Sequence, residues 1–296
     1  MQKKIISFSI LLLLSISLTS CSPFKNNSNE KPSLDNSTTK PLKEPIKDSN
    51  PQIKDNFSTI ETSNLDNTTI SWFFIPNDRH ITPNVNDKLN FNLKDYHAIY
   101  NGPTKTDSKT LYLTFDEGYE NGYTPKILDT LKEKNVKAVF FVTSHYIKSN
   151  PDIIKRMADE GHIVGNHTNT HPSMPDKTSN ISTFNDELID VENKYKELTN
   201  NDMLKFFRPP MGNYSEKSLA MTNNLGYTSV FWSFAYHDWD TDNQPTKEDA
   251  MKKIMDNLHD GSILLLHAVS KTNTDILGDF IDNAQSQGYE FQLINQ

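Results

Sequence analysis

Apolar residues in this chain follow two patterns in alternation: short, mostly apolar runs, and stripes that recur every three or four positions. The runs at 111–115, 138–142, 163–166, 205–207, 228–232, 262–266 and 291–294 are short and rich in Phe, Val, Ile and Leu, as strands buried on both faces are. Between them lie helical signals. Thr124-Pro125 offers a cap followed by proline at the first helical position, with Ile127, Leu128 and Leu131 on one face and Asn135 closing the segment. Asn150-Pro151 opens a second helix carrying Ile153, Ile154, Met157 and Ala158, stopped by Gly161. Phe184, Leu188, Val191, Tyr195 and Leu198 form a helical stripe, and segments 219–224, 247–258 and 277–284 end before Gly226, Gly261 and Gly288. Strands separated by helices imply parallel pairing through right-handed crossovers. About seven strands favour an α/β fold in the form of an irregular (β/α) barrel over an open doubly wound sheet.

The N-terminus obeys a different pattern. Lys3 and Lys4 precede an apolar run from Ile5 to Leu18 and then Thr19-Ser20-Cys21, so residues 1–21 read as a secretory signal and not as a spanning helix. Leu18-Thr19-Ser20-Cys21 resembles a bacterial lipobox, and Cys21 is the single cysteine of the chain. Lipidation at Cys21 would leave no disulfide and would tether the protein to the outer face of the bacterial membrane, outside the cytoplasm. Residues 22–67 are rich in Ser, Thr, Asn, Lys and Pro and lack apolar periodicity, which predicts a flexible tether. The folded domain is expected over 68–296, with its chemistry within 110–294. A formal charge of −8 supplies no basic field, so nucleic acid is not expected as a partner. No glycine-rich loop follows a strand, which argues against a nucleotide site.

Five strand ends carry chemistry. In a barrel of this kind, residues at the carboxyl ends of successive strands converge on one mouth. The 111–115 run leads into Asp116-Glu117; 163–166 into His167, with His171 four residues on; 205–207 into Arg208; 228–232 towards Asp238; and 262–266 into His267. Two imidazoles four residues apart reach a common ion, although such a pair also occurs as ordinary surface or core histidines. Pro172 places the pair on a loop. Asp116 and Glu117, read as a polar turn before Gly118, are a solvated acidic loop unless a cation lies beside them; then one carboxylate ligates and the other accepts a proton from bound water. Arg208-Pro209-Pro210 is rigid and suits either an arginine that pairs with Asp116 or a surface turn with an exposed arginine. Asp238 with His267 matches a carboxylate that orients an imidazole and stabilises its protonated form, while the buried-type run before His267 equally suits a satisfied core histidine.

Taken together, Thr114-Phe115-Asp116-Glu117-Gly118, His167-Thr168-Asn169-Thr170-His171, Arg208-Pro209-Pro210-Met211-Gly212, Asp238-Trp239 and Leu264-Leu265-Leu266-His267 resemble the motif series of the polysaccharide deacetylases with a NodB homology domain, carbohydrate esterase family 4. The stretches 119–124, 231–235 and 266–270 look closest to the PdaA-like branch, the delta-lactam-forming N-acetylmuramic acid deacetylases of the spore cortex. The resemblance implies a distorted (β/α) barrel of NodB type that hydrolyses an acetamide on a glycan. Asp116 would be the base, fixed by Arg208; His267 the acid, tuned by Asp238; and His167 and His171 would hold a divalent cation, with zinc favoured. Glu117 occupies the position where the family commonly has a third ligand, and is either a lengthened ligand or a spectator. The expected partners are peptidoglycan glycan strands and, through the lipid, the membrane; a monomer is expected. Two other readings stay open: a deacetylase of N-acetylglucosamine in peptidoglycan or chitin-like oligomers, and a wall-binding lipoprotein without catalysis.

Overall fold

The computed structural model describes residues 57–86 and 88–294. The signal segment 1–21, Cys21 and residues 22–56 of the expected tether lie outside the described residues. One parallel sheet organises the domain. Its strands run in the order Ser262–His267, Lys109–Glu117, Val139–Val142, Ile163–Asn166, Phe206–Phe207, Thr228–Val230 and Ala98–Ile99, with Tyr289–Phe291 paired alongside the first residues of Lys109–Glu117. The sheet curls until its two edges nearly meet. Gly102 donates its N–H to the Gly261 carbonyl at 2.8 Å, and single bridges join Asn101 to Ser262 and Phe234 to Leu264. The result is the irregular barrel of about seven strands expected from the apolar runs.

Among the described residues, seven α-helices cover the outside: α1 (Thr124–Glu133), α2 (Ser144–Ser149), α3 (Pro151–Asp159), α4 (Ile181–Thr199), α5 (Glu216–Asn224), α6 (Lys247–Asp256) and α7 (Lys271–Ser286). Their ends follow local chemistry. Proline stands in the first turns of α1 and α3, Ser215 and Ser218 form a reciprocal capping box on α5, and Asn200 in the left-handed conformation ends α4.

Side-chain parity along the strands sets the rest, because successive strand residues point to opposite faces. Leu111, Leu113 and Phe115 pack outward with Ile127, Leu128 and Ile281 under the helices. Tyr112 faces inward with Val139, Phe141, Ile163, Phe206 and Ile263. The inward set continues at the carboxyl ends as Asp116, His167, Arg208 and His267.

Four expectations need correcting. The last strand is Tyr289–Phe291, not 291–294, because pairing with Lys109–Leu111 begins directly after the Gly288 turn. Ala98–Ile99 and α2 were not anticipated; each is too short to carry a period. The tether does not extend to residue 67. Ile60 exchanges backbone bonds with the Asn224 side chain, Lys217 donates to the Asp66 carbonyl, and Ile60 and Leu65 pack on the cluster around Trp72. Sparse apolar residues hid this edge strap. Finally, Asp116 and Glu117 are not a polar turn but the last two residues of the strand Lys109–Glu117, with opposite faces. No helix among the described residues is long and apolar enough to cross a membrane.

Candidate active site

The barrel mouth is a groove of about 960 Å³ whose lining includes Asp116, His167, His171, Met211, Trp239 and His267. Parallel pairing places His267 directly in register with Asp116 on the neighbouring strand. Adjacent strands are about 4.8 Å apart, so the expected base and acid face one space.

Asp116 is almost wholly buried and takes a hydrogen bond from Arg208 Nη1 to Oδ1 at 2.8 Å. Arg208 is fully buried, lies over the Phe141 ring at 4.2 Å, and donates from Nε to the Val230 carbonyl at 3.0 Å. Its rigid orientation therefore comes from strand-end carbonyls and an aromatic face as well as from the prolines that follow it. Burial works against the Asp116 charge, but Arg208, then His167 and His267, outweigh it and hold the carboxyl below the ordinary range. Asp116 is a carboxylate at neutral pH.

His167 turns its Nδ1 to the Arg208 carbonyl at 2.8 Å, so that nitrogen carries the proton and Nε2 faces the mouth with its lone pair. Nε2 lies 3.6 Å from Asp116 Oδ2, the oxygen that Arg208 leaves free. Burial drops the His167 pKa to about 4, and burial also lowers that of His171. Both imidazoles are neutral, as metal ligands must be. Their ring centres are 4.9 Å apart. Among the described residues no three His, Cys, Asp or Glu side chains already stand at ligating spacing. The two neutral imidazoles nevertheless form a nitrogen donor pair that suits zinc or another divalent ion completed by water, with the Asp116 charge alongside, and the carbonyl behind His167 is the usual support of a ligating histidine.

Glu117 is not brought to the histidines. Strand parity turns it outward, where it is fully buried and accepts from Thr124 Oγ1 at 3.2 Å beside Tyr146 and Glu120. Burial, and secondarily the Glu120 charge, push its pKa well up, which keeps it protonated. Of the two roles left open for this residue, the geometry favours the spectator. Glu117→Gln is accordingly expected to retain divalent-ion affinity by titration calorimetry, while His171→Ala loses it; a tenfold or greater loss in Glu117→Gln, about the scale of a lost metal contact, would restore Glu117 as a ligand.

Asp238, fully buried, grips His267 twice: Oδ1 takes the proton on Nδ1 at 2.7 Å, and Oδ2 takes the backbone N–H at 2.8 Å. Nε2 is thereby left to the groove. Burial lowers the His267 pKa, but the charge and hydrogen bond of Asp238 more than compensate and raise it above the ordinary imidazole value. The sequence reading missed what lies behind this pair. Asn273, in the first turn of α7, donates from Nδ2 to Asp238 Oδ2 at 2.5 Å, and its own Oδ1 accepts from the Tyr236 hydroxyl. A lone Asn six positions after a strand-end histidine carries no signal of its own. Trp239 is half-exposed in the groove, stacked on His237 at 4.3 Å and edge-on to His267 at 5.7 Å.

With this geometry in place, comparison with known proteins gives consistent results. Residues 104–230 match the model of the family described as polysaccharide deacetylase. The peptidoglycan-N-acetylmuramic acid deacetylase PdaA of Bacillus subtilis is 44% identical over 229 residues, covering 77% of this chain and 86% of that protein. The chain belongs to the polysaccharide deacetylase family. The structure of PdaA, a family 4 carbohydrate esterase, superposes with a TM-score of 0.73 at 43% identity, over 77% of this chain and 96% of that one. A peptidoglycan-N-acetylglucosamine deacetylase of Bacillus cereus is 29% identical over 75% of this chain and 81% of its own length. A family 4 pseudoenzyme of Bacillus anthracis aligns with a TM-score of 0.59 at 29% identity, over 66% of each chain.

Proposed function

We propose that this deacetylase removes the acetyl group from N-acetylmuramic acid in peptidoglycan glycan strands. The observation that carries the reading is the pairing, across one groove, of a carboxylate whose ionised form Arg208 favours with an imidazole whose protonated form Asp238 favours. The 44% identity to PdaA supports muramic acid over other sugars. A binding protein needs no matched base and acid.

The groove's own groups perform the reaction in two proton transfers. Asp116, through Oδ2, takes a proton from a water whose oxygen adds to the acetamide carbonyl carbon. His267 Nε2 then gives its proton to the amide nitrogen as the carbon–nitrogen bond breaks, releasing acetate and a free amine on the sugar. The acid is needed because an unprotonated amine leaves poorly. Holding water and sugar in place beforehand removes much of the entropic barrier. A divalent cation, held by His167 and His171 beside Asp116, would polarise the carbonyl and acidify water. The amine freed at muramic acid lies next to that sugar's lactyl carboxyl, the arrangement that closure to a cortex-type delta-lactam requires, and this supports a role in sporulation.

The same reading includes secretion, cleavage before Cys21 and lipidation there, so that a monomeric domain works on the wall from the outer face of the membrane. Metal-stripped enzyme, incubated with peptide-free peptidoglycan glycan and given zinc, manganese, cobalt or magnesium singly, is expected to release acetate with at least one ion and none without. Glycan binding with no acetate under any ion would instead support the wall-binding reading.

A further inference from the structure

The five residues from His167 to His171 must present two imidazoles to one point, yet their backbone is unfavourable. Thr168 and His171 both adopt left-handed conformations, with φ of 73° and 58°. Neither is glycine, Thr168 is β-branched, and such conformations persist only where the surroundings over-determine them. Part of the restraint is internal: Asn166 Oδ1 accepts from Thr168 N–H at 2.9 Å, and Thr168 Oγ1 accepts from His171 N–H at 2.9 Å. The external part comes from α4, above all from Glu187. Its carboxylate accepts from Thr170 twice, from N–H to Oε2 at 2.8 Å and from the hydroxyl to Oε1 at 2.6 Å. Its backbone carbonyl takes the Asn169 N–H at 2.8 Å. Lys177 supplies a countercharge at 3.5 Å.

Glu187 is buried and lies outside the groove lining, so it acts on the mouth only through the loop it holds. A buried carboxylate is costly to keep without compensation. Spending one to grip the residue between two histidines fits a restraint on their spacing. We infer that Glu187 is a positioning residue that preorganises His167 and His171 for a divalent cation, an inference that rests on the metal-assisted reading above. Bonds to an ionised acceptor are roughly twice as strong as neutral ones, and two of them fix Thr170 in both position and rotation.

The test is zinc affinity, measured on metal-stripped full-length protein by competition with a chromogenic chelator, together with a thermal melt of each metal-free variant. Glu187→Ala is expected to weaken zinc binding by about 10–100-fold, the usual effect of losing an outer-shell partner. Glu187→Gln, which still accepts from Thr170 N–H through its amide oxygen, is expected to fall between that variant and wild type. This ordering separates positioning from a plain stability role, which would lower melting temperature and leave the affinity of the folded fraction unchanged. Should the alanine variant fail to fold, the glutamine variant carries the comparison. Wild-type affinity in a folded Glu187→Ala or Glu187→Gln protein would overturn the inference alone. Equal zinc binding by wild type and His171→Ala, or none by wild type, would overturn the metal reading itself.

Discussion

Asp116→Asn should lower kcat/KM for acetate release by on the order of 10²–10⁴-fold, the contribution of a positioned general base. The amide keeps the shape of the carboxylate and cannot take a proton from water. Two effects must be separated, because Asp116 is also the carboxylate partner of the fully buried Arg208. Removing one member of a buried ion pair costs about 3–5 kcal/mol, since the other charge is stranded. The variant is therefore expected to melt at lower temperature as well as to lose activity. Its pH dependence of stability carries a further sign. Asp116 is held below the ordinary carboxylate pKa in the folded state, so its stabilising contribution is present above the unfolded value and is lost as pH falls through the folded one. Wild type should shed that stability in acid and Asp116→Asn should not. Kinetics taken well below the melting temperature, with circular dichroism as the folding control, isolate the chemical loss. Activity within a few-fold of wild type would remove Asp116 from the role of base.

The second large effect is expected at the other end of the reaction. As the proposed acid, His267 acts in its protonated form, which the charge and hydrogen bond of Asp238 favour by raising its pKa above the ordinary imidazole value. Activity in wild type is expected to fall on the alkaline side only above the ordinary imidazole value. Asp238→Asn removes the charge that raises the pKa and leaves the burial that lowers it, so the alkaline fall should move below the ordinary value. At pH 7 the loss should be on the order of 10²–10⁴-fold, because both the protonated population and the orientation of the ring suffer. A pH series of kcat/KM, with an NMR titration of the His267 ring, checks it. An alkaline limb that stays where wild type has it would show that Asp238 does not tune the acid.

Much of this site is legible in the chain because parallel strands end at one face. Asp116, His167, Arg208 and His267 each follow an apolar run, and a barrel has nowhere else to bring them. Glu117 shows where the reading fails. Both faces of its strand are buried, so Leu111 to Phe115 are apolar on both parities, Thr114 apart, and the period of two is invisible. Only when Leu113 and Phe115 are seen under the helices, and Tyr112 inside the barrel, does the outward turn of Glu117 follow. Glu187 and Asn273 fail for a different reason. They lie on helices, 16 and 6 positions beyond the nearest site residue in sequence, and act by hydrogen bonds that no local period encodes. The strap at Ile60 and Leu65 was lost to composition, since a polar segment can still be held by a few backbone bonds to α5.

The most direct measurement is mass spectrometry of muramidase-digested, peptide-free peptidoglycan after incubation with the metal-loaded enzyme. The expected result is loss of the acetyl group on muramic acid, with glucosamine still acetylated and no change in the Asp116→Asn control. Free amine on glucosamine with muramic acid intact, or the same product from wild type and Asp116→Asn, would contradict it.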